Sequence, residues 1–407
     1  MKIKKLLIKI IRKFLVLIYG IPIILIIRII KPFVLVRFQE VISDRLGHFA
    51  CHMELYLNER RQEKIKKFDV FFYGQNICNA QLGKMWKKKV IVLPYVIIAP
   101  IFSTYNILRK LKLISSEHEI PEPVSRDRDI LNLIDKNLPN IKFTNSEILY
   151  GDKQLKKMGL MNNKFIILHI RDDNYINEDS DSGLKLINND NYLDAIKFAI
   201  KRNYKVVRVG KNPKHRINFS HDFFIDYPFS KFQNDFMDLY LIFKCKLILG
   251  NNSGGTFAPL YLFRTPTVIT DFAPIGMMHS YSNKIFTIFK KCRFKGSSKI
   301  LNISEIFSNN LAFSESKKDY LDKSFELLDN TPEEIKDVLE EAIDEIEGKR
   351  ILSDDFIALR KKFYSNYLFN CKKFNNQYWN NELRIWHGEL KFNVGQKFLK
   401  NNFEHLI

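Results

Sequence analysis

Short apolar runs alternate with amphipathic segments in the second half of this 407-residue chain. Helical periodicity at 191–203 and 234–244 separates most of the runs. Strands that alternate with helices are typical of a parallel sheet covered by helices. The predicted strands are 165–171, 204–210, 222–228, 245–252 and 265–271.

The first half repeats the alternation of strands and helices. Apolar runs predict strands at 32–40, 68–74 and 88–96, and residues 53–68 have the periodicity of a helix with a charged outer face. The stretch 115–129 contains two prolines and no periodicity, which indicates a loop. We therefore expect an α/β protein with two Rossmann-like doubly wound domains, whose sheets face a cleft where ligands bind.

The length of the chain favours two domains, because one core becomes inefficient at this size. A helix is predicted at 331–348, where Thr331 is the N-cap, Pro332 the first-turn residue and Gly348 the end. The expected divisions are a membrane anchor at 1–31, an acceptor domain at 32–160, a nucleotide-sugar domain at 161–310 and a helical extension at 311–407 that packs back on the domains.

The N-terminus combines positive charge with an apolar run. Residues 1–31 hold eight of the net +20 charges and no acidic residue, and 14–27 contains 14 uncharged residues. A spanning helix needs about 20 apolar residues, and Pro22 would kink it. Three alternatives remain: an interfacial or re-entrant anchor, a single transmembrane helix, or a core helix. In either membrane case the charges favour a cytoplasmic body.

Other classes of protein find little support in the composition. The remaining positive charge is spread along the chain, and no nucleic-acid-binding motif is present, so a nucleic-acid partner is not expected. Five widely spaced cysteines form no CxxC pair, which predicts reduced thiols and neither a disulfide framework nor a zinc site.

Polar residues follow three of the predicted strands. His169 and Arg171 end the strand at 165–171, and a guanidinium there suits phosphate or carboxylate oxygens, although a salt bridge with Asp172 or Asp173 is equally open. A turn between a strand and a helix supplies free N–H groups for a diphosphate, or is simply a capped turn. That turn consists of Asn251, Asn252, Ser253, Gly254, Gly255 and Thr256.

A third strand end and an acidic loop complete the candidate donor site. Arg208 and Gly210 end the strand at 204–210, which extends the expected nucleotide-sugar pocket. The loop 178–183 contains Asp179 and Asp181, a carboxylate pair that suits a metal. The pair does not follow an apolar strand, so we interpret it as a solvated loop and expect no metal site.

The first domain has its own cluster of polar residues between strand and helix. Asp44, Arg45, Gly47, His48 and Glu54 lie within eleven residues, and a carboxylate or imidazole there is suited to deprotonating an acceptor hydroxyl. The alternative is that Asp44 caps the helix and Glu54 is a solvated helical residue. Because Gly47 and His48 are expected to form a turn, we favour a functional loop, with Arg45 and Gly47 on the acceptor side.

Several of these motifs resemble a family of bacterial glycosyltransferases found near surface-polysaccharide gene clusters. The resemblance covers about 35–275 and the tail 395–407. It implies a GT-B fold, a nucleotide-sugar donor and no bound metal or other cofactor. The His-x-Arg element is similar to one in GT-B fucosyltransferases, which implies a diphosphate contact for Arg171 and a supporting role for His169. The matching segments are 45–48 with 54–55, 169–175, which includes the donor-side Tyr175, 206–210 and 236–270.

The resulting hypothesis is a glycosyltransferase on the cytoplasmic face of a bacterial inner membrane, acting in surface-polysaccharide biosynthesis. It would transfer a sugar to a glycan or lipid-linked acceptor, with Asp44, His48 or Glu54 as the base if the reaction inverts. A sugar-nucleotide epimerase, a polysaccharide pyruvyl transferase and a non-enzymatic glycan-binding or assembly protein are the alternatives.

Overall fold

The computed structural model of the chain forms two compact units, residues 1–126 and 127–407. It describes residues 2–61, 67–122, 127–171, 184, 187–211, 213–378 and 386–402, with side chains from residue 16 onward except 375–378. Both units are built on parallel sheets, so the predicted α/β class is confirmed.

Unit 1 contains a three-stranded parallel sheet in the order β1-β2-β3. The pairing of β1 with β2 runs in register from Leu35 opposite Lys67 to Val41 opposite Tyr73. The two carboxyl ends therefore finish side by side. The elements are α1 (Lys2–Ile30), β1 (Leu35–Val41), α2 (Leu46–Arg60), β2 (Lys67–Tyr73), α3 (Ala80–Lys87), β3 (Ile91–Val92) and α4 (Tyr95–Lys110).

One face of α1 belongs to the core of unit 1. Ile24 and Ile27 are buried in a cluster with apolar residues of β1, β2 and α4. Gly20 allows close contact with α4, since a Cβ there would stand 2.2 Å from Thr104 Oγ1. The Thr104 hydroxyl donates to the backbone carbonyl of Val16 (2.9 Å). Within the described part of the chain, no helix combines the length and hydropathy needed to cross a membrane.

Two predictions in unit 1 are wrong in detail. The run 88–96 forms only the two-residue β3, and α4 begins at Tyr95 directly after Pro94. Residues 46–48 do not form a turn, because α2 begins at Leu46, seven residues before the predicted start at Met53. The β-branched residues near 91–97 favour a strand by propensity, but tertiary packing against α1 overrides that preference.

Unit 2 contains a seven-stranded sheet in the order β12-β9-β8-β7-β4-β5-β6, where β9 spans Ile285–Phe289 and β12 spans Asn393–Val394. The pairing is parallel throughout. Four of its strands fall within the predicted runs 165–171, 204–210, 222–228 and 245–252. The first elements are α5 (Asn145–Lys157), β4 (Phe165–His169), α6 (Leu193–Lys201), β5 (Lys205–Val209), β6 (Phe224–Asp226), α7 (Asp235–Lys244), β7 (Leu247–Asn251), α8 (Gly254–Phe263) and β8 (Thr267–Phe272).

The C-terminal part of unit 2 contributes strands as well as helices. Thr331 caps α11 and forms a reciprocal capping box with Glu334, so the predicted helix is confirmed. β10 and β11 form a separate antiparallel pair, and β12 adds an edge strand to the large sheet. The remaining elements are β9 (Ile285–Phe289), β10 (Lys291–Phe294), α9 (Ile303–Ser308), α10 (Lys317–Asp322), β11 (Phe325–Leu328), α11 (Pro332–Ile346), α12 (Asp354–Tyr378), β12 (Asn393–Val394) and α13 (Gln396–Asn401).

The boundary between the units precedes the predicted division at residue 160. Helix α5 lies in unit 2, where the hydroxyl of Tyr240 on α7 donates to Asp152 (2.7 Å) and to the carbonyl of Ile148 (3.0 Å). Gly151 faces the ring of Tyr240, and a Cβ there would stand 2.3 Å from it.

Candidate functional site

The carboxyl ends of β4 and β7 meet at the centre of the seven-stranded sheet. From β4 the chain builds outward through β5 and β6, and from β7 it builds the other way through β8, β9 and β12. In open α/β sheets a reversal of this kind leaves a crevice outside the carboxyl ends of the two strands, where ligands bind. His169 ends β4 and pairs with Gly250 of β7. The residues predicted to bind a diphosphate thus lie at this switch point.

Two glycines allow the first turn of α8 to lie against the end of β4. A Cβ at Gly250 would stand 2.1 Å from the backbone oxygen of His169. A Cβ at Gly255 would stand 2.2 Å from Nε2 of the same histidine. A side chain at Gly250 would push β7 away from β4 and from Thr256 on α8, and a side chain at Gly255 would push α8 away from β4. Both glycines are therefore required by close approach.

The N-terminus of α8 offers backbone donors. Ser253 is the N-cap residue, yet its side chain makes no capping hydrogen bond to the helix. The first intrahelical bond runs from Thr256 N to Ser253 O (3.0 Å). N–H groups in the first turn have no intrahelical acceptor and carry the positive end of the helix dipole. The turn at Gly254 and Gly255, which lacks side chains, is therefore suited to phosphate oxygens.

His169 fixes the geometry of this turn. Its Nδ1 lies 3.0 Å from the hydroxyl of Ser253 and 3.3 Å from Thr256 Oγ1. Burial lowers the pKa of His169 to about 4, and the positive charge of Arg171 is the second cause. The imidazole is neutral at pH 7 and packs between the end of β4 and the first turn of α8.

Arg171 brings a permanent positive charge to the same edge. Its backbone N–H donates to Oδ1 of Asn251 at the end of β7 (3.0 Å), which holds the chain after β4 beside the turn. The side chain is partly buried, and its charge acts on the ring of His169. Arg171 and the α8 N-terminus therefore place positive potential on one crevice, which suits a diphosphate.

The environment of the arginine on β5 differs from the predicted one. Arg208 is 1% exposed, and its guanidinium donates to the carbonyl of His215 (2.7 Å) and to Asp226 (3.3 Å), its strand partner on β6. Its charge therefore forms an internal ion pair, and it also contributes to the lowered pKa of His169 at the edge of the sheet. Gly210 follows β5 at the carboxyl edge, where its carbonyl accepts from Gln233.

Other residues at this edge hold loops together. The amide of Asn252 donates to the carbonyl of Ala273 (2.8 Å), which links the glycine turn to the segment after β8. Asp271, which was not predicted as a site residue, accepts from the backbone N–H of Asn330 (2.7 Å) and from the hydroxyl of Tyr192 (3.4 Å). Burial raises the pKa of Asp271 to about 6. We assign it a structural role, because its oxygens face internal donors.

Part of the predicted donor site lies outside the described residues. Tyr175 falls there, as do Asp172, Asp173 and the acidic loop with Asp179 and Asp181. Across the described ranges, no group of three or more His, Cys, Asp or Glu side chains is arranged to hold a metal ion.

A carboxyl pair occupies the corresponding edge in unit 1. Glu40, near the end of β1, extends over Gly74, where a Cβ would stand 3.2 Å from its Oε1. Partial burial raises the pKa of Glu40, and the negative charge of Asp44 raises it further. Asp44 is exposed in the loop before α2, and the hydroxyl of Ser43 ties that loop to the carbonyl of Asn76 (2.8 Å). Glu40 was missed because it reads as the polar end of a strand.

The remaining predicted site residues of unit 1 lie at the start of α2 and in its first turns. His48 is partly exposed, and its Nδ1 lies 3.3 Å from Nε2 of His52 one turn later. Arg45 is the exposed N-cap residue, and Gly47 is buried in the first turn. Glu54 is fully buried and accepts from Asn58 (3.2 Å), so its carboxyl is inaccessible to an acceptor. The candidate site residues at this edge are therefore Asp44 and His48, which were predicted, and Glu40, which was not.

Replacing Asp44 by asparagine is expected to lower the pKa of Glu40, because the negative charge of Asp44 is one of the two causes that raise it. The measurement is the titration of the Glu40 carboxyl followed by NMR. Asp194→Asn, at an exposed carboxyl on α6, is the matched control and should leave the pKa of Glu40 unchanged. An unchanged pKa of Glu40 in Asp44→Asn would show that the two carboxyls do not interact.

Comparison with known proteins gives weak structural likenesses. No protein-family model matches the sequence, and a search of characterised proteins finds no match. The E. coli ADP-heptose LPS heptosyltransferase II is similar at 13% identity and a TM-score of 0.47, over 76% of this chain and 99% of that one. A glycosyl transferase of family 9 from Veillonella parvula DSM 2008 is similar at 10% identity and a TM-score of 0.35, over 57% of this chain and 79% of that one. At these values the likeness carries no functional argument.

Proposed function

We propose that this protein is a glycosyltransferase that moves a sugar from a nucleotide-activated donor to a glycan or lipid-linked acceptor. The observation that carries the proposal is the switch point between β4 and β7, where Arg171 and the side-chain-free start of α8 come together. Both features favour an anionic, diphosphate-like group. A second observation, the carboxyl pair of unit 1, supports an acid–base step.

In the proposed reaction, an acceptor hydroxyl oxygen attacks the anomeric carbon of the donor sugar. The bond between that carbon and the diphosphate oxygen breaks, and the electron pair leaves with the nucleotide. Arg171 and the N–H groups of α8 stabilise the negative charge that develops on the leaving oxygen. When the reaction inverts, the hydroxyl proton passes to a general base, and Glu40 and Asp44 are the residues of unit 1 that we propose for this role.

The proposed site uses protein charges where other enzymes use a metal. A guanidinium and a helix N-terminus supply the electrostatic stabilisation of a diphosphate leaving group, and we propose that no cofactor is needed. Surface-polysaccharide biosynthesis at the cytoplasmic face of a bacterial inner membrane is the proposed setting. The positive charge of residues 1–31 supports that location.

Release of nucleoside diphosphate from nucleotide sugars tests the proposal. Incubation of the full chain with UDP-, GDP-, ADP- and CMP-sugars, with and without acceptor glycans, should release nucleotide from at least one diphosphate donor. The release should increase with acceptor and persist with EDTA. An epimerase would convert the sugar without releasing nucleotide, and a binding protein would leave the donor intact, so either result rejects the transferase proposal.

A further inference from the structure

Helix α1 has a second apolar face that does not contribute to the core of unit 1. Gly20, Ile24 and Ile27 face inward. Ile18, Leu25 and Ile29 are between 55% and 73% exposed. With about 3.6 residues per turn, these three side chains form one stripe along the helix, opposite to the buried face.

The exposed stripe is unlike the outer face of an ordinary surface helix. Such a helix is polar where it meets water, and a helix that is apolar all round is surrounded by other apolar material. Apolar exposure continues beyond the stripe, at Phe33 just after α1 and at Val96 in the first turn of α4. Exposed apolar surface of this kind indicates a contact site.

The charge near the stripe favours one kind of partner. Residues 1–31 contain eight Lys or Arg residues and no Asp or Glu. Arg28 is exposed on α1 itself, one residue before Ile29. Lys31 follows the helix and forms an ion pair with Glu117. A second copy of the chain would bring the same positive charges to the interface and be repelled. Anionic lipid headgroups beside acyl chains complement both the charge and the apolar stripe.

We propose that α1 lies in the plane of an anionic membrane surface, with the stripe of Ile18, Leu25 and Ile29 directed into the outer part of the acyl layer. Arg28 then contacts lipid phosphates, the positive charge of residues 1–31 attracts the anionic surface, and the opposite face of α1 remains in the core of unit 1. Because α1 is a structural part of unit 1, the membrane holds that unit directly and not through a flexible tether. This inference rests on the membrane location proposed above and is independent of the donor chemistry.

Vesicle flotation of the full chain tests this inference. The vesicles contain phosphatidylcholine alone or phosphatidylcholine with phosphatidylglycerol. Wild type should float with the anionic vesicles and bind them less at high salt, because exposed charges are screened. Leu25→Glu with Ile29→Glu should weaken this binding by about tenfold or more, since two apolar contacts are replaced by repelled charges.

Leu138→Glu with Leu149→Glu is the matched control, because both leucines are strongly exposed in unit 2 and carry the same substitution. This variant should bind vesicles like wild type. Equal vesicle binding by the α1 variant and wild type would overturn the inference. So would a lipid-free dimer, detected by sedimentation, that the α1 substitutions dissociate while vesicle binding persists.

Nucleotide binding by the same samples separates this inference from the proposed function. The α1 variant should bind a nucleoside diphosphate as wild type does, and an unchanged circular dichroism spectrum and thermal unfolding curve would show that unit 1 is folded as well. If the protein binds vesicles but no nucleotide, the proposed transferase function is rejected and the proposed membrane-binding role of α1 is retained. If the protein binds nucleotide but does not float with vesicles, the membrane-binding role of α1 is rejected and the proposed transferase function is retained.

Discussion

Replacing Arg171 by alanine is expected to weaken nucleoside diphosphate binding by about 30-fold, which corresponds to about 2 kcal/mol for a lost charge-assisted hydrogen bond. The residue lies after β4, beside the first turn of α8, and is held there by its backbone bond to Asn251. The α8 N–H groups remain in the variant, so residual binding should persist. Titration calorimetry of the variant and wild type measures the difference.

Arg202→Ala is the matched control for the arginine. It removes the same charge from unit 2, but Arg202 follows α6 ahead of β5, at the amino edge of the sheet, where it pairs with Asp344 and Glu347. We expect nucleotide affinity to be unchanged in this control. If Arg171→Ala bound nucleotide as tightly as wild type, the diphosphate role of Arg171 would be refuted.

Replacing Gly255 by alanine is expected to lower the free energy of unfolding by about 1–3 kcal/mol and to abolish nucleotide binding. The new Cβ would stand 2.2 Å from Nε2 of His169, so the start of α8 must move away from β4. Movement of that turn takes its N–H groups out of position. Chemical denaturation and calorimetry on the same variant measure the two effects.

The double variant with His169→Ala separates a local collision from general damage. Removal of the imidazole takes away the atoms that the new Cβ meets, so the two substitutions should be less destabilising together than the sum of their separate effects. Additive losses in the double-mutant cycle would show that the collision between Gly255 and His169 is not the cause.

The centre of unit 2 was predictable because its signals are local. The apolar run before His169 and the run before Asn251 each form a buried strand, and the glycine turn directly follows the second. Parallel strands place such ends at one edge, so their proximity follows from the fold class alone. What remained open was whether Arg171 met an aspartate or a ligand, since residues 172–183 lie outside the described part of the chain.

Features that depend on distant contacts were not predictable. Arg208 is buried and forms an ion pair with Asp226, and the two residues are neighbours only because of the register of β5 and β6. Glu54 is removed from the surface by the packing of α2. Helix α4 carries β-branched residues and Pro100, and its helical state depends on packing against α1, a segment far away in sequence.

Titration calorimetry of the full chain with nucleoside diphosphates and a monophosphate tests most directly whether a diphosphate binds outside the carboxyl ends of β4 and β7, against Arg171 and the start of α8. We expect saturable binding of UDP, GDP or ADP, much weaker binding of the corresponding monophosphate, and loss of the preference for the diphosphate in Arg171→Ala. If no diphosphate binds, or if wild type binds mono- and diphosphates equally well, the diphosphate site is refuted.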